Sequence, residues 1–220
     1  MPALSEPPVH ALLRVADADA LEWESAPPDW APAALRRAPY VVRRRPMPRS
    51  EAVPIGVRGG VRSQRAAAWL SLGAVHECIT PQMLVAQHAW RQRRDFAITP
   101  AVAVLEQVAA ILDDRGMAGR WGPGGSVGFE LASGVAATTP KSDLDIVLWA
   151  EGSIARAAAA SLQAELSSLP VRIDVLLETP NGAVSLAEYS TNVGAMMLRS
   201  SRGPRLVPDP WSPHLEARGA

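Results

Sequence analysis

Polar and apolar residues alternate in the first part of two segments of the C-terminal half, KSDLDIVLW at 141–149 and VRIDVLLE at 171–178, and each then continues as an apolar run. Alternation with a period of two is typical of a β-strand with one buried face, so each segment predicts a strand. The segment between them, 154–169, is rich in Ala and Leu and is followed by Pro170, which predicts a helix that ends before the proline. This order of elements is typical of an α/β arrangement.

Threonine–proline pairs predict two further helices. Thr80 and Thr99 each precede a proline, which combines an N-cap residue with proline at the first helical position. The helices predicted from these signals cover 81–91 and 100–115. Gly116 is expected to end the second one, because glycine adopts the backbone conformation that closes a helix.

A glycine-rich turn, GPGGS at 122–126, follows a predicted short strand near Trp121 and precedes a short helix that is expected to end at Gly134. The N-terminal part differs from this regular pattern, since ten of the 20 prolines lie in the first 60 residues. Its strand candidates are 40–45 and 53–59, each bounded by Pro or Gly.

Together these patterns predict an α/β (α+β) protein with two domains. Residues 96–220 are expected to form a mixed sheet flanked by helices, and residues 1–95 a smaller domain rich in short strands and loops. The charge divides in the same way, because the formal net charge is +4 for 1–95 and −4 for 96–220. The basic part is therefore a candidate for binding phosphates or an acidic partner.

Seven arginines within 23 residues produce most of this basic character, opposed only by Glu51. Guanidinium groups bind oxyanions in a bidentate manner, so such a cluster suits phosphates or an acidic protein. The alternative is a composition that uses Arg in place of Lys, since Lys141 is the only lysine. The cluster consists of Arg43, Arg44, Arg45, Arg49, Arg58, Arg62 and Arg65.

Several classes of protein are disfavoured. No apolar stretch is long enough to predict a membrane span, and the N-terminus lacks the basic region of a signal peptide. A single cysteine, Cys78, cannot form an internal disulfide, which fits a cytoplasmic protein. Nucleic-acid binding is also disfavoured, because the excess charge is small and no aromatic residues are interleaved with the arginines.

Three carboxylates lie on the predicted strands. Asp143 and Asp145 are two residues apart and therefore share one face of their strand, and Asp174 on the second strand also faces away from its apolar neighbours. If the strands are adjacent, the three carboxylates converge at one edge of the sheet and need a cation to neutralise them. Carboxylate oxygens suit Mg²⁺, which leaves positions for a substrate phosphate, so phosphoryl or nucleotidyl transfer is the predicted chemistry.

The glycine-rich turn offers groups for the phosphate. Gly125 and Ser126 stand where a helix begins, and a helix N-terminus binds phosphate through its free N–H groups and its dipole. Lys141 is a second candidate, although a solvated strand end explains it equally well. Arg199 and Arg202 are further candidates for binding donor phosphates or carrier acids, with a surface turn as the alternative.

The spacing of GGS at 124–126, SDLD at 142–145 and RID at 172–174 resembles the nucleotidyltransferase fold of DNA polymerase beta and its relatives. This resemblance implies that Ser126 helps to bind the pyrophosphate moiety and that Asp143, Asp145 and Asp174 hold two divalent ions. The C-terminal sheet would then be of the nucleotidyltransferase type. Asp174 is also the candidate general base. Glu130 is expected to be an acid on the helix surface, with a supporting role behind the site residues as the alternative.

A narrower resemblance extends over most of the chain. The segments IGVRGGVRSQR at 55–65, GSVGFELASG at 125–134, KSDLDIVL at 141–148 and LRSSRGPRLV at 198–207 are similar to the malonate decarboxylase holo-acyl-carrier-protein synthases. These are phosphoribosyl-dephospho-CoA transferases. The resemblance implies transfer of this group from 2′-(5-triphosphoribosyl)-3′-dephospho-CoA to a serine of the acyl carrier protein of malonate decarboxylase, with release of pyrophosphate.

Two alternatives stay open at the level of the sequence. The chain could be a nucleotidyltransferase that uses a nucleoside triphosphate to modify a small molecule or another protein. It could also be a module that binds a carrier protein without catalysis. The clustered carboxylates argue against the second alternative, because a module without catalysis gains nothing from like charges gathered at a strand edge.

Overall fold

The computed structural model describes residues 6–92 and 98–212, and within these ranges the backbone forms two six-stranded sheets. The strands of the first sheet are β1 (Leu12–Val15), β2 (Leu21–Trp23), β3 (Tyr40–Arg43), β4 (Ala52–Arg58), β5 (Arg65–Ser71) and β6 (Val75–Ile79). The strands of the second sheet are β7 (Trp121–Pro123), β8 (Leu144–Trp149), β9 (Ile173–Thr179), β10 (Gly182–Ser185), β11 (Met196–Ser200) and β12 (Gly203–Val207). Two sheets with flanking helices confirm the predicted fold class.

The helices of the described ranges are short, and none is long and apolar enough to cross a membrane. They are α1 (Ala31–Arg37), α2 (Pro81–Ala86), α3 (Pro100–Ala103), α4 (Leu105–Asp114), α5 (Gly125–Ser133), α6 (Arg156–Ser167) and α7 (Leu186–Thr191). Single 3₁₀ turns lie at Ala18–Ala20, Leu72–Ala74 and Ala89–Arg91.

The first sheet is antiparallel throughout, in the order β2-β5-β4-β3-β1-β6. One of its faces forms a core with α1, in which Leu13, Val41, Ile55 and Leu70 pack with Leu35 of the helix. The N-terminal half is thus more regular than its proline content indicates. Each antiparallel neighbour satisfies the backbone groups of a strand that is too short to be stable alone.

The second sheet is mixed, in the order β12-β11-β10-β9-β8-β7, with β8 and β9 as its parallel pair. A parallel pair needs a crossover, and α6 supplies it. This helix buries Ala159, Leu162 and Leu166 at helical spacing, as its sequence predicts. The apolar positions of β8 and β9 pack on this side with α4, α6 and α7. The polar positions of both strands therefore point to the opposite face.

The helices predicted from threonine–proline pairs are present, but both are interrupted. Thr80 caps α2 as expected, accepting a hydrogen bond from the N–H of Met83 at 3.2 Å. The α-helix then ends at Ala86, because His88 adopts a left-handed backbone conformation (φ 46°) and starts a 3₁₀ turn. Thr99 does not cap α3 through its side chain, since its hydroxyl donates to Oγ1 of Thr138 at 3.0 Å.

The two halves contact each other through the second face of the first sheet. Phe129 of α5 forms a small apolar cluster with Leu12 and Ala38, and the partly buried Tyr40 and Val42 pack against it. A cleft is left open beside this cluster, between β4 and β5 on one side and the start of α5 on the other.

The predicted domain boundary between residues 95 and 96 lies in 93–97, outside the described residues. The helix before it, α2, packs against β7 of the second sheet. A Cβ at Gly122 would lie only 2.3 Å from the backbone of Pro81, so this contact needs glycine. Trp90 likewise belongs to the C-terminal core.

Candidate active site

Two carboxylates face each other across the parallel strands β8 and β9. Asp145 and Asp174 are register partners, and both side chains are exposed. Their preceding neighbours Leu144 and Ile173 are buried on the other side of the sheet, as alternation requires. Asp143 lies one residue before β8 and lines the same cleft as Asp145. The structure thus places the three predicted acids at one edge of the sheet.

The negative charge at this edge is only partly compensated. The pKa of Asp145 is raised above its usual value, first because the carboxyl is desolvated within the cleft and then because Asp174 and Asp143 repel its charge. Arg62 and Arg58 act in the opposite direction but do not cancel the increase. Although the side chain of Asp145 is reached by solvent, the concave surroundings remove much of its hydration.

Arginines contact the two outer acids. Arg62 from the first half approaches Asp143, with 3.9 Å between Nη1 and Oδ2, and Nε of Arg172 donates to Oδ1 of Asp174 at 3.1 Å. These contacts are weak in solution, because the side chains of Arg62 and Arg172 are 94% and 71% exposed.

The carboxylate oxygens at this edge are suitable ligands for a divalent cation, but the orientation of the three side chains does not form a metal site. Within the described residues, no group of three His, Cys, Asp or Glu side chains stands ready to hold a metal ion. The raised pKa of Asp145 nevertheless shows that neighbouring carboxylates act on it with negative charge. The ligand type fits Mg²⁺, but the two outer carboxylates, which contact arginines, would have to turn towards the ion.

The glycine turn approaches Asp145 closely. Gly125 adopts a left-handed φ of 53°, and a Cβ added there would lie 1.8 Å from Oδ2 of Asp145. The N–H of Gly124 donates to the backbone carbonyl of Asp145 at 2.8 Å, which holds the turn against β8. Helix α5 starts here, so the first N–H groups of the helix and the half-buried Ser126 lie beside the carboxylates. A side chain at position 125 would close this approach.

A polar cavity of about 670 Å³ connects these groups. Gly125, Ser126 and Lys141 line it together with Asp143 and Asp145, so five predicted site residues share one space. The wall contributed by the N-terminal half consists of Arg58, Gly60, Val61, Arg62 and Arg65.

The two predicted C-terminal arginines differ in position. Arg199 on β11 lines a neighbouring cavity of about 500 Å³ together with Asp145 and Asp174. Arg202 lies exposed in the turn between β11 and β12 and lines none of the cavities described here. The structure thus brings Arg199 to the carboxylates and leaves Arg202 at the surface.

The seven clustered arginines also divide into two groups. Arg43, Arg45 and Arg49 make contacts within the protein, to Glu6, to Glu178 and to the ring of Trp69 respectively. The other four line the cleft, namely Arg44, Arg58, Arg62 and Arg65. The cluster is therefore partly structural and partly part of the site.

Sequence reasoning missed a buried ionic contact that joins the two halves. Glu178 at the end of β9 is 7% exposed, and its carboxylate is bonded by Arg45 and by His10, the latter with 2.5 Å between Nε2 and Oε1. Burial by itself would raise the pKa of Glu178, but the hydrogen bonds and charges of His10 and Arg45 outweigh it and lower the pKa. His10 has a left-handed φ of 72°, and its side chain lines the cavity of Asp174.

The expectation for Glu130 is wrong. This residue is 2% exposed, and its carboxylate accepts hydrogen bonds from the backbone N–H groups of Ala137 and Thr138, both at 2.6 Å. The acid therefore fixes the loop that leads from α5 to Lys141. Its position on an otherwise apolar helix, VGFELA, is the sequence signal that could have indicated burial.

The cleft gathers acids, a helix N-terminus and arginines around one space, an arrangement that suits a transferase acting on phosphate groups. The N-terminal residues 8–81 match the family model of the phosphoribosyl-dephospho-CoA transferase MdcG N-terminal domain. Residues 85–210 match that of the MdcG C-terminal domain. The chain belongs to the phosphoribosyl-dephospho-CoA transferase family, which confirms the narrower resemblance seen in the sequence.

Curated relatives with that name align over nearly their whole length. The chain is 38% identical over 190 residues to a Pseudomonas fluorescens (strain Pf0-1) protein, covering 86% of this chain and 88% of the relative. It is 37% identical over 209 residues to an Azotobacter vinelandii protein, covering 93% and 94%. No solved structure matches the chain significantly.

Proposed function

We propose that the protein transfers the phosphoribosyl-dephospho-CoA group from 2′-(5-triphosphoribosyl)-3′-dephospho-CoA to a serine of the acyl carrier protein subunit of malonate decarboxylase. Membership of the phosphoribosyl-dephospho-CoA transferase family supports the identity of the transferred group. The malonate decarboxylase context rests on the resemblance of the sequence to the malonate decarboxylase holo-acyl-carrier-protein synthases. The observation that carries the proposal is the register pair of Asp145 and Asp174 beside the glycine turn. We expect the protein to act in the cytoplasm, without nucleic acid or a membrane.

In the proposed reaction, the serine Oγ of the carrier forms a bond with the innermost phosphorus of the triphosphate. The bond from this phosphorus to the bridging oxygen breaks, and pyrophosphate leaves with the bonding electrons. Asp174 takes up the serine proton, because its carboxylate is exposed at the cleft opposite Asp145. Atoms and charges balance without an oxidant or a reductant.

The phosphate end of the donor is expected to lie against the start of α5. The N–H groups of Gly125 and Val127 and the hydroxyl of Ser126 would donate to the departing pyrophosphate. Lys141 and Arg199 would contact further donor phosphates from two sides of the cleft. Arg202 stays a proposed contact for acidic residues of the carrier.

We further propose that Asp143, Asp145 and Asp174 hold Mg²⁺, as two ions. When bound, the ions would supply positive charge next to the departing pyrophosphate and favour deprotonation of the serine hydroxyl. Asp145 would provide the carboxylate nearest to the glycine turn. Its raised pKa would decrease when a cation replaces the repulsion of the other two acids.

The test is an assay with the donor, Mg²⁺ and the apo carrier protein, read by mass spectrometry of the carrier. The wild-type protein should increase the mass of the carrier by the transferred group, on a serine. Asp145→Asn should reduce the rate by orders of magnitude, whereas Asp113→Asn on the exposed side of α4 should have no effect. Transfer by Asp145→Asn at the native rate would contradict the assignment of the site.

Replacing the donor with ATP or CTP distinguishes the proposal from a general nucleotidyltransferase. We expect no change in the mass of the carrier with either nucleotide. Transfer from ATP at a rate comparable to that with the triphosphoribosyl donor would favour the alternative.

A further inference from the structure

A second chamber of about 500 Å³ lies on the N-terminal side of the cleft and has a floor of small residues. Gly56 on β4 is the register partner of Val42 on one side and of Ala67 on the other. The three residues share one face of the sheet, which turns towards α5. Phe129 of α5 forms the opposite wall. The chamber is thus a mostly apolar slot between two elements.

Arginines surround this slot, and the carboxylates of Asp145 and Glu130 compensate the charge of Arg58 only partly. Arg58 and Arg65 are directly opposite each other on β4 and β5, an arrangement in which like charges repel. The pKa of Arg58 is lowered to about 10, first because of burial and then because of the charge of Arg65. Arg44 also lines the slot, and its side-chain stem lies beside Gly56. An anionic ligand would relieve this repulsion.

Arg58 also ties the slot to the C-terminal half. Its Nη2 donates to the carbonyl of Ala137 at 3.1 Å, and its guanidinium carbon lies 5.5 Å from the centroid of the Phe129 ring. The guanidinium group of Arg58 is therefore held in place before a ligand binds. Pre-organised guanidinium groups lose less entropy when they bind phosphate.

The slot opens next to the glycine turn. Gly125 lines both this chamber and the polar cavity that contains Asp143, Asp145 and Ser126. A ligand with a phosphate at the turn can therefore extend into the slot. Its size and mostly apolar lining are typical of sites for small organic ligands.

We propose that this slot binds the adenosine 5′-diphosphate part of the dephospho-CoA group. The N-terminal half would recognise the donor substrate through this slot. The base would lie on Gly56 and Ala67 against Phe129, and the diphosphate would pair with Arg44, Arg58 and Arg65. The inference rests on the proposed function for the identity of the donor. It goes beyond it by assigning recognition of the nucleotide to residues of the first sheet.

Binding of 3′-dephospho-CoA, measured by isothermal titration calorimetry without Mg²⁺ or carrier, tests the proposal. Wild-type protein should bind 3′-dephospho-CoA and ADP, and should not bind pantetheine, which lacks the nucleotide. Ala67→Phe fills the floor and should weaken binding of 3′-dephospho-CoA by about tenfold or more. Ala160→Phe on the exposed face of α6 adds the same ring elsewhere and should leave binding unchanged.

Arg44→Gln provides a second variant in case the larger side chain at 67 disturbs folding. It removes one charge from the slot, keeps a side chain beside Gly56, and should also weaken binding by about tenfold. Its matched control is Arg205→Gln on β12, which is exposed and outside the slot. Circular dichroism and thermal unfolding establish that each variant is folded.

Three results would overturn the proposal. The first is that Arg44→Gln or folded Ala67→Phe binds 3′-dephospho-CoA with the affinity of the wild type. The second is that pantetheine binds as well as ADP. The third is that pyrophosphate binds as tightly as 3′-dephospho-CoA. The last result would mean that only the charges are used. Asp145→Asn separates this proposal from the proposed function, because it should keep the affinity for 3′-dephospho-CoA and lose transfer. If Asp145→Asn kept full transfer while Ala67→Phe and Arg44→Gln still weakened binding of 3′-dephospho-CoA, only the assignment of the carboxylate site would be refuted.

Discussion

Replacing Glu178 with Gln should destabilise the protein strongly, because it breaks an ionic contact between the two halves. The carboxylate accepts a hydrogen bond from Nη1 of Arg45 at Oε2, at 2.9 Å, and a second one from Nη2 at Oε1. Nε2 of His10 also contacts Oε1. Glutamine keeps the shape but removes the charge, and it places an amide N–H₂ where at least one of these donors stands.

The burial of all three side chains sets the expected magnitude. The exposed fractions are 8% for Glu178, 17% for Arg45 and 22% for His10, so solvent screens the contact only partly. Removing one partner of a buried ion pair costs about 3–5 kcal/mol, because the other charge is left without compensation. We expect about 3 kcal/mol, at the lower end, since Arg45 and His10 keep some contact with water.

Denaturation with urea, followed by circular dichroism, measures this loss of unfolding free energy. Glu165→Gln is the control, because Glu165 pairs with Arg115 on the surface with its side chain 45% exposed, and should cost about 0–1 kcal/mol. A loss for Glu178→Gln no larger than the control would refute the reasoning. Exchanging Glu178 and Arg45 together for Met should restore much of the stability, since a well-packed apolar pair needs no compensation.

The dependence on pH gives an independent check. The pKa of Glu178 is lowered from its usual value of 4.5 in the folded protein, because the contacts with His10 and Arg45 outweigh the effect of burial. A lowered pKa means that the stabilising contribution is fully present above pH 4.5 and is lost as the pH falls through the folded value. The difference between wild type and Glu178→Gln should therefore decrease as the pH falls below 4.5. A difference that stays the same in acid would contradict the ionic explanation.

Gly125→Ala should abolish transfer in a folded protein, because the new Cβ would lie 1.8 Å from Oδ2 of Asp145. Gly134→Ala is the control. Its φ is 66° and the space around its Cβ is open, so it should keep transfer and lose about 1–2 kcal/mol of stability. Binding of Mg²⁺ by the wild type should weaken on acidification at a pH above the usual aspartate value of 3.8, because the pKa of Asp145 is raised in the metal-free protein and the proton competes with the ion; calorimetric titration with Mg²⁺ across pH measures this. Without Mg²⁺ at neutral pH, Asp145→Asn should not lower the unfolding free energy, because a raised pKa means that the folded state disfavours the ionised form; a clear loss in urea denaturation would contradict this. Glu130→Gln should cost about 1–3 kcal/mol in the same assay, since two backbone N–H groups donate to this carboxylate at 2.6 Å, and an unchanged midpoint would refute its structural role.

The parts of the fold that the sequence predicted well are those set by neighbours along the chain. Alternation placed Asp145 and Asp174 on one face of their strands, and the helix between them ends as its composition and Pro170 indicate. Gly134 takes the left-handed conformation that closes α5. These features depend on spacing and on backbone preference, both of which are visible in a single sequence.

Other short strands of both sheets, unlike β3, β4 and β7, could not be predicted in the same way. β10 has four residues and β11 has five, and neither alternates over enough positions to give a period. Their stability comes from partners in the sheet rather than from their own composition. Glu178 illustrates the same limit, because it is the last acid of a strand by sequence, while Arg45 lies 133 residues and His10 168 residues away. Only the fold brings these partners to it.

The cleft has negative charge on its C-terminal side and positive charge on its N-terminal side, and each is only partly compensated within the protein. In the C-terminal half the pKa of Asp145 is raised, first by burial and then because Asp174 and Asp143 repel its charge. In the N-terminal half the pKa of Arg58 is lowered, first by burial and then because Arg65 repels its charge. Asp145 and Arg58 attract each other and still leave both shifts in place. A ligand that carries phosphates towards the arginines and cations towards the carboxylates would remove the repulsive part of both shifts, because each kind of charge would then face its opposite. A donor with a triphosphate at one end, a nucleotide at the other and metal ions on the triphosphate has this distribution, so the electrostatic balance of the cleft favours a donor that spans both halves over one that binds to the C-terminal half alone.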